Sequence, residues 1–181
     1  MEFTILRPTG GHQSDQCQRS ARSRAYEDLW RSVSLQSDDP AGLWRTDLAA
    51  ELSREDLIVL QVDLKHRSMP VEHVGEQVTE IVGFQLQGHD LAQFDFLSHT
   101  EKVWTERAEF FQLPCGKFEV AEIQVAGGLN KSCALTMLPL IGVDGPKRLV
   151  VLVEELDLLD YPLLDERKLL GRSLYHVMID L

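Results

Sequence analysis

Cysteine is scarce in this chain. There are three, Cys17, Cys115 and Cys133, an odd number at wide spacings. That pattern excludes a disulfide framework and any CxxC metal or redox motif, and leaves reduced structural thiols as the simplest reading. Long apolar runs are absent as well. None approaches the roughly 18 to 20 residues that a membrane-spanning helix needs. Met1 to Gly11 lacks the charged flank, apolar stretch and cleavage site of a secretory leader, so a cytoplasmic address is expected. Positive charge is in deficit: 18 Lys and Arg stand against 29 Asp and Glu, a formal net charge of −11. Such a field repels phosphate backbones and anionic bilayers, so neither nucleic acid nor membrane is an expected partner. The one basic group, Arg19, Arg22, Arg24 and Arg31, is interrupted by Glu27 and Asp28 and does not share one helical face.

Catalytic signatures are missing too. There is no G-x-x-x-x-G-K-[ST] phosphate loop, no G-x-G-x-x-G after a strand and no G-x-S-x-G elbow. Six histidines, His12, His66, His73, His89, His99 and His176, fall at spacings that match neither H-x3-H nor HExxH. His89-Asp90 is a lone dipeptide without the further His and Asp that a metal-dependent phosphohydrolase requires. The expectation is no enzyme, no catalytic residues and no metal site.

What is present is an ordinary globular mixture: 181 residues, 44% hydrophobic and 26% charged, enough for one domain with a terminal extension. Pro8, Gly10 and Gly11 punctuate an aperiodic start. A helix is expected over about Asp15 to Leu35, with Tyr26, Leu29, Trp30 and Val33 on one face. Asp38-Asp39-Pro40 breaks the chain, and a short helical piece is expected over Thr46 to Leu52. Leu57 to Val62 is rich in β-branched residues and reads as a strand, followed by a turn at Lys65 to Ser68 and a weaker strand over Met69 to Val74. A short helix through Val78, Ile81 and Val82 stops at Gly83. Ser98-His99-Thr100-Glu101 has the form of a capping box. The helix behind it carries Trp104, Ala108 and Phe111 and ends at Pro114 to Gly116.

The period then changes from about 3.6 to 2. Strands are expected over Phe118 to Val125, Ser132 to Ile141 and Arg148 to Glu155, separated by turns at Gly127-Gly128 and Asp144-Gly145-Pro146. Leu149 to Val153 is continuously apolar, as suits a central strand covered on both faces. Six acids and no base lie between Glu154 and Glu166, which reads as a solvated linker. Leu163, Leu170, Leu174, Val177 and Leu181 form a narrow stripe at helical spacing, so an amphipathic helix is expected over 158–181. The order helix, two strands, helical middle, three strands, helix implies an antiparallel sheet crossed by helices, an α+β architecture.

With these residues, that order resembles the PAS domain, in particular a single-domain PAS family common in alphaproteobacteria. The resemblance is carried by the aromatic helix Tyr26, Leu29, Trp30-Arg31-Ser32, by Val74-Gly75-Glu76-Gln77-Val78, by Leu86-Gln87-Gly88-His89-Asp90-Leu91 and by Leu138-Pro139-Leu140. Gln85 stands where the family usually has Asp. A proline within a strand implies an edge or a bulge. The resemblance implies a five-stranded antiparallel sheet with helices on one face over 24–157, preceded by a tail and helix start over 1–23. It also implies a small ligand held between sheet and helices, or dimerisation through the outer sheet face, with signalling by changed helix packing or partner affinity.

The residues expected to face such a cavity are Val74, Gln77, Val78, Ile81, Leu91, Phe94, Phe96 and Trp104 from the helical side, and Ile123, Leu135, Met137 and Val151 from the sheet. Thr79 is a further polar neighbour. Apolar positions like these fill solid cores more often than they line a cofactor site. His73 and His89 are placed where some PAS domains carry a haem ligand, yet a hydrogen-bonded structural histidine is the commoner role. Neither Cys115, in an expected turn, nor Cys133, in a strand, suits a flavin photoreceptor, so haem and flavin are unsupported and any cofactor is unknown. The apolar stripes of the terminal helices need a cover. Tyr26, Leu29, Trp30, Val33, Leu170, Leu174 and Val177 are therefore the expected interface with a second copy in a homodimer or with a regulatory protein. The functional expectation is a sensory or signalling domain that binds a small ligand or a partner. The alternatives are a ligand-free adaptor and a small enzyme using His73 or His89 as base.

Overall fold

The computed structural model describes residues 19–36, 54–93, 101–112, 115–124, 130–141, 147–156 and 173–180. The first helix, α1 (Ala21–Gln36), is opened by Ser20, whose Oγ accepts the backbone N–H of Ser23 at 2.8 Å. That bond satisfies one of the amides a helix N-terminus leaves without a partner. The expected start at Asp15, the helical piece over Thr46 to Leu52 and the capping box at Ser98 lie outside the described residues.

Strands β1 (Leu57–Val62) and β2 (Val71–Val74) form an antiparallel pair. Asp63 organises the connection: its carboxylate accepts the N–H groups of Lys65 and His66 at 3.0 and 2.9 Å. Helix α2 (Glu76–Val82) follows at once. Gly75 makes this junction possible, because a Cβ there would run into the carbonyls of Glu55 and Arg54. Its N–H donates to the Leu57 carbonyl at 2.8 Å, so backbone lies directly against backbone. Gly83 ends α2 in the left-handed region, φ 79°, with its N–H on the Thr79 carbonyl. A short 3-10 turn (Leu91–Gln93) and helix α3 (Glu101–Phe110) complete the helical crossing.

Strands β3 (Cys115–Gln124), β4 (Asn130–Leu140), β5 (Lys147–Glu155) and β6 (Ser173–Asp180) return antiparallel. The sheet order is β2-β1-β5-β4-β3-β6. The expected α+β sheet is thus present, with β5 paired to β4 at its centre and a sixth strand beyond β3. Cys115, expected in a turn, opens β3 instead. Pro139 lies in an interior strand, but beyond Met137, the last β4 residue that pairs with β3. Its missing amide therefore falls outside that ladder.

The sixth strand corrects the expectation of a helix over 158–181. Ser173–Asp180 pairs with β3, placing Val177 opposite Phe118 and Tyr175 opposite Val120. The leucine and valine stripe coexists with a period-2 alternation of Tyr175, Val177 and Ile179 against His176, Met178 and Asp180. Aromatic and β-branched residues suit a pleated ladder, and the edge of β3 offers unpaired backbone groups that a strand can satisfy and a helix cannot. Leu174 and Val177 consequently stand on a strand, Ile179 is 1% exposed and Met178 is 44% exposed on the opposite side. Leu163 and Leu170 lie outside the described residues. The division at residue 158 therefore cuts one sheet rather than separating a helix from it.

Candidate functional site: two buried clusters on one sheet

The strands alternate between two cores. Leu149, Val151 and Val153 of β5 join Ile58, Leu60 and Val62 of β1 in a cluster with α2, the 3-10 turn and α3. Val150 and Leu152 join Leu57 and Val59 in a second cluster, on the other face, with α1. The continuous apolar run in β5 is explained by this double coverage.

The inner cluster gathers most of the expected cavity residues. Val78, Ile81, Leu91, Trp104 and Val151 are buried together, and Val74, Leu135 and Met137 pack against them partly exposed. Gln77 does not join them. It lies on the exposed face of α2, with its amide 3.3 Å from the Glu55 carboxylate. Thr79 turns its hydroxyl back to the Gly75 carbonyl at 3.2 Å. The reason is α2's own pitch: Val78, Ile81 and Val82 take the buried face, which leaves Gln77 outside it. Phe94, Phe96 and the side chain of Ile123 lie outside the described residues. The cluster's most reactive group is the Cys133 thiol, fully buried. Burial first, then Glu155, push it up to about 12 against the opposing effect of Lys131, so it stays protonated.

The histidines named from sequence stand apart from this cluster. His73 Nε2 meets the Arg54 carbonyl at 3.2 Å, and His89 is exposed, its own carbonyl accepting the Val71 N–H. Asp90 beside it is structural. Partial burial raises its pKa, but the Ser68 hydroxyl and the N–H groups of Met69 and Ala92 outweigh this and hold the carboxyl below its usual value. Among the described residues, no three His, Cys, Asp or Glu side chains converge as metal ligands.

The outer cluster corrects the expected interface. Tyr26, Trp30 and Val33 are 1%, 2% and 1% exposed within their own chain, and Leu29 packs beside them. Within their own chain their cover is the outer face of the sheet. Trp30 donates its indole N–H to the Pro139 carbonyl at 2.7 Å, and Arg31 Nε donates to the Asp180 carbonyl at 2.9 Å. One helix therefore ties β4 to β6.

Sequence reasoning missed a polar layer inside this cluster. The Ser23 hydroxyl lies 2.8 Å from that of Thr136 and donates to Glu27 at 3.1 Å. Glu27, 2% exposed, also faces Arg19 at 3.1 Å and Arg31 at 3.8 Å. The Ser20 hydroxyl donates to Glu154 at 2.9 Å. Asp56, equally buried, is ion-paired with Arg22, and its Oδ1 has no hydrogen-bond partner. Burial raises the pKa of Asp56 and of Glu154, with Arg22 opposing in both. Burial likewise pushes the Tyr26 phenol up to about 12, with Arg22 opposing and Asp56 assisting. A signal existed: Ser20, Ser23 and Glu27 stand at i, i+3, i+7 beside the aromatic stripe, and Thr136 interrupts the apolar alternation of β4.

The antiparallel sheet with its helical crossing between β2 and β3 has the order of elements that the resemblance to PAS domains implies. No protein-family model matches the chain, and no curated protein matches it. Among solved structures, the chain is similar to the PAS domain of an HTR-like protein from Haloarcula marismortui, with 15% identity and a TM-score of 0.43 over 57% of this chain and 90% of that one. A fungal LOV domain photoreceptor has 16% identity and a TM-score of 0.41, over 56% of this chain and 75% of that one. A LOV protein of Rhodobacter sphaeroides has 16% identity and a TM-score of 0.39, over 72% and 67%. Among the described residues, no helix is long and apolar enough to cross a membrane.

Proposed function

We propose that this chain is a cytoplasmic PAS-type sensory module, not an enzyme, that binds a small apolar ligand or a regulatory protein and signals through the packing of α1. The observation that carries the reading is the sharing of strands: β1, β4 and β5 contribute alternate residues to the inner and the outer cluster. A displacement at Val151 or Leu135 on the inner face is adjacent in the chain to Val150 or Ala134 beneath the other core. Interiors at this density transmit such displacements rather than absorb them. Whatever binds one helix arrangement better shifts the population toward it. The non-enzymatic part rests on the chemistry of the inner cluster, whose thiol is held protonated and whose neighbours are apolar. Self-association as a homodimer belongs to the same proposal, with the qualification that Tyr26, Trp30 and Val33 become available only if α1 leaves the sheet.

Complete burial of Val78 and Cys133 favours one alternative, a ligand-free adaptor with a solid interior. Native mass spectrometry of protein from its own host, beside a denatured sample and an absorbance spectrum, separates the two. A mass retained natively and released on denaturation is the expected result for the sensor. Bare protein that captures a partner through α1 would establish the adaptor, and turnover of a substrate would overturn both.

A further inference from the structure

We propose that the turn over residues 54–57 is a mechanical link between the two faces of the sheet: it joins the first turn of α2 to the first turn of α1, so that a shift of either helix is passed to the other. The case begins with where its bonds go. The Leu57 N–H closes the turn on the Arg54 carbonyl at 3.2 Å. Towards α2, the Glu55 carbonyl accepts the N–H groups of Gln77 and Val78 at 3.0 and 3.4 Å, and its carboxylate accepts the Gln77 side-chain amide at 3.3 Å. The Leu57 carbonyl accepts the Gly75 N–H at 2.8 Å, and the Arg54 carbonyl meets His73 Nε2 at 3.2 Å. Towards α1, the Asp56 carboxylate is ion-paired with Arg22.

The connection is stiff at each step. At Gly75, where a Cβ would run into the Glu55 and Arg54 carbonyls, the entry to α2 lies backbone against backbone on the turn, so α2 cannot press closer without pushing Glu55. The Glu55 carbonyl and the Asp56 Cα belong to one planar peptide and turn together. The Asp56 carbonyl accepts the Val153 N–H at 2.9 Å, which fixes the turn to β5 and makes that bond the pivot. Beyond the pivot stands the Asp56 carboxylate, 2% exposed. Parting a buried carboxylate from its counter-charge is costly, so Asp56 and the Arg22 guanidinium move together, and Arg22 is part of α1.

The link supplies a route for the signalling through α1 proposed above and rests on that reading for its purpose. The coupling itself is a property of the fold, measured without ligand or partner, so whether native mass spectrometry finds a bound mass does not bear on it.

Amide exchange followed residue by residue by NMR on the full chain tests the link in both directions, because coupling between two sites is reciprocal. Arg22→Met, at a side chain 40% exposed, is expected to lower the protection of the Gln77 and Val78 amides about fivefold while α3 keeps its protection. In the reverse direction, Gly75→Ala is expected to lower the protection of α1 amides over residues 24–30 about tenfold. Trp104→Ala, which opens the inner cluster at α3 rather than at the turn, is the control and should leave those amides protected. Unchanged Gln77 and Val78 amides in Arg22→Met protein, or an equal loss across α2 and α3, would overturn the link. So would an equal loss of α1 protection in Gly75→Ala and Trp104→Ala. Arg22→Met decides the matter even if Gly75→Ala does not fold.

Discussion

The two faces of this sheet are built to different rules. On the inner face α2 and α3 lay apolar side chains on apolar strands, and the polar groups of α2 stay outside. On the outer face α1 buries Tyr26, Trp30 and Val33 beside Ser23, Glu27, Thr136 and Asp56. An apolar contact carries no directional bond, so a helix resting on one can repack without leaving a polar group unpaired. Buried hydrogen bonds and ion pairs accept few arrangements, because a partner left behind in the interior is costly. The comparison teaches that α1 is held to its seat by directional polar bonds as well as by packing, whereas α2 and α3 are held chiefly by packing.

The strongest way to break the comparison is to empty each core in turn. Trp30→Ala and Trp104→Ala should each cost about 4 kcal/mol in urea unfolding. They should differ in kind: Trp30→Ala releases α1, read as lost protection of its amides, while Trp104→Ala leaves α1 seated. Equal loss of α1 protection in both would mean that the two faces are one cooperative unit. Next in size is the joint between them. Gly75→Ala, which forces a Cβ against the Glu55 carbonyl, should destabilise by about 3 kcal/mol through displacement of α2 from β1. A variant as stable as wild type would show that the junction relaxes without strain.

Smaller effects sharpen the contrast. Trp30→Phe keeps an aromatic ring and removes the donor to the Pro139 carbonyl, so it should cost about 1 kcal/mol beyond the change in ring volume. The smallest perturbation is chemical. Cys133, pushed up to about 12, and buried Cys115, raised by burial and then by Asp180, should react with a thiol reagent at pH 8 far more slowly in native protein than in urea. Fast native labelling of Cys133 would show that the inner cluster opens.

Much of this architecture could be read from residue order, and the places where it could not share a cause. Leu57 to Val62 and Leu149 to Val153 announce strands because the same residues are apolar on both sides of the pleat. Gly83 announces the end of α2 through its left-handed conformation. Ser173–Asp180 was misleading, since its leucine and valine spacing serves a helix as well as a strand. Only the open edge of β3, built from residues over fifty positions earlier, decides between the two. Within the candidate site, Val78, Ile81, Trp104 and Val151 were legible as inward-facing. Gln77 was not, because a seven-residue helix carries too little pattern to fix its rotation.

By itself, then, the sequence determined the elements whose pattern is local: the aromatic face of α1, the β1 and β5 strands, the caps and turns, and the acidic charge balance. The tertiary structure alone decided what those faces meet. Tyr26 and Trp30 read as an interface because a stripe records only that it must be covered, never by what. Asp56, Arg22 and Glu154 are ordinary surface residues in one dimension. Asp56 becomes a buried carboxyl paired with Arg22, and Glu154 a partner of Ser20, only because the segment before β1, α1 and β5 converge there, and desolvation depends on that convergence and not on the identity of any one residue.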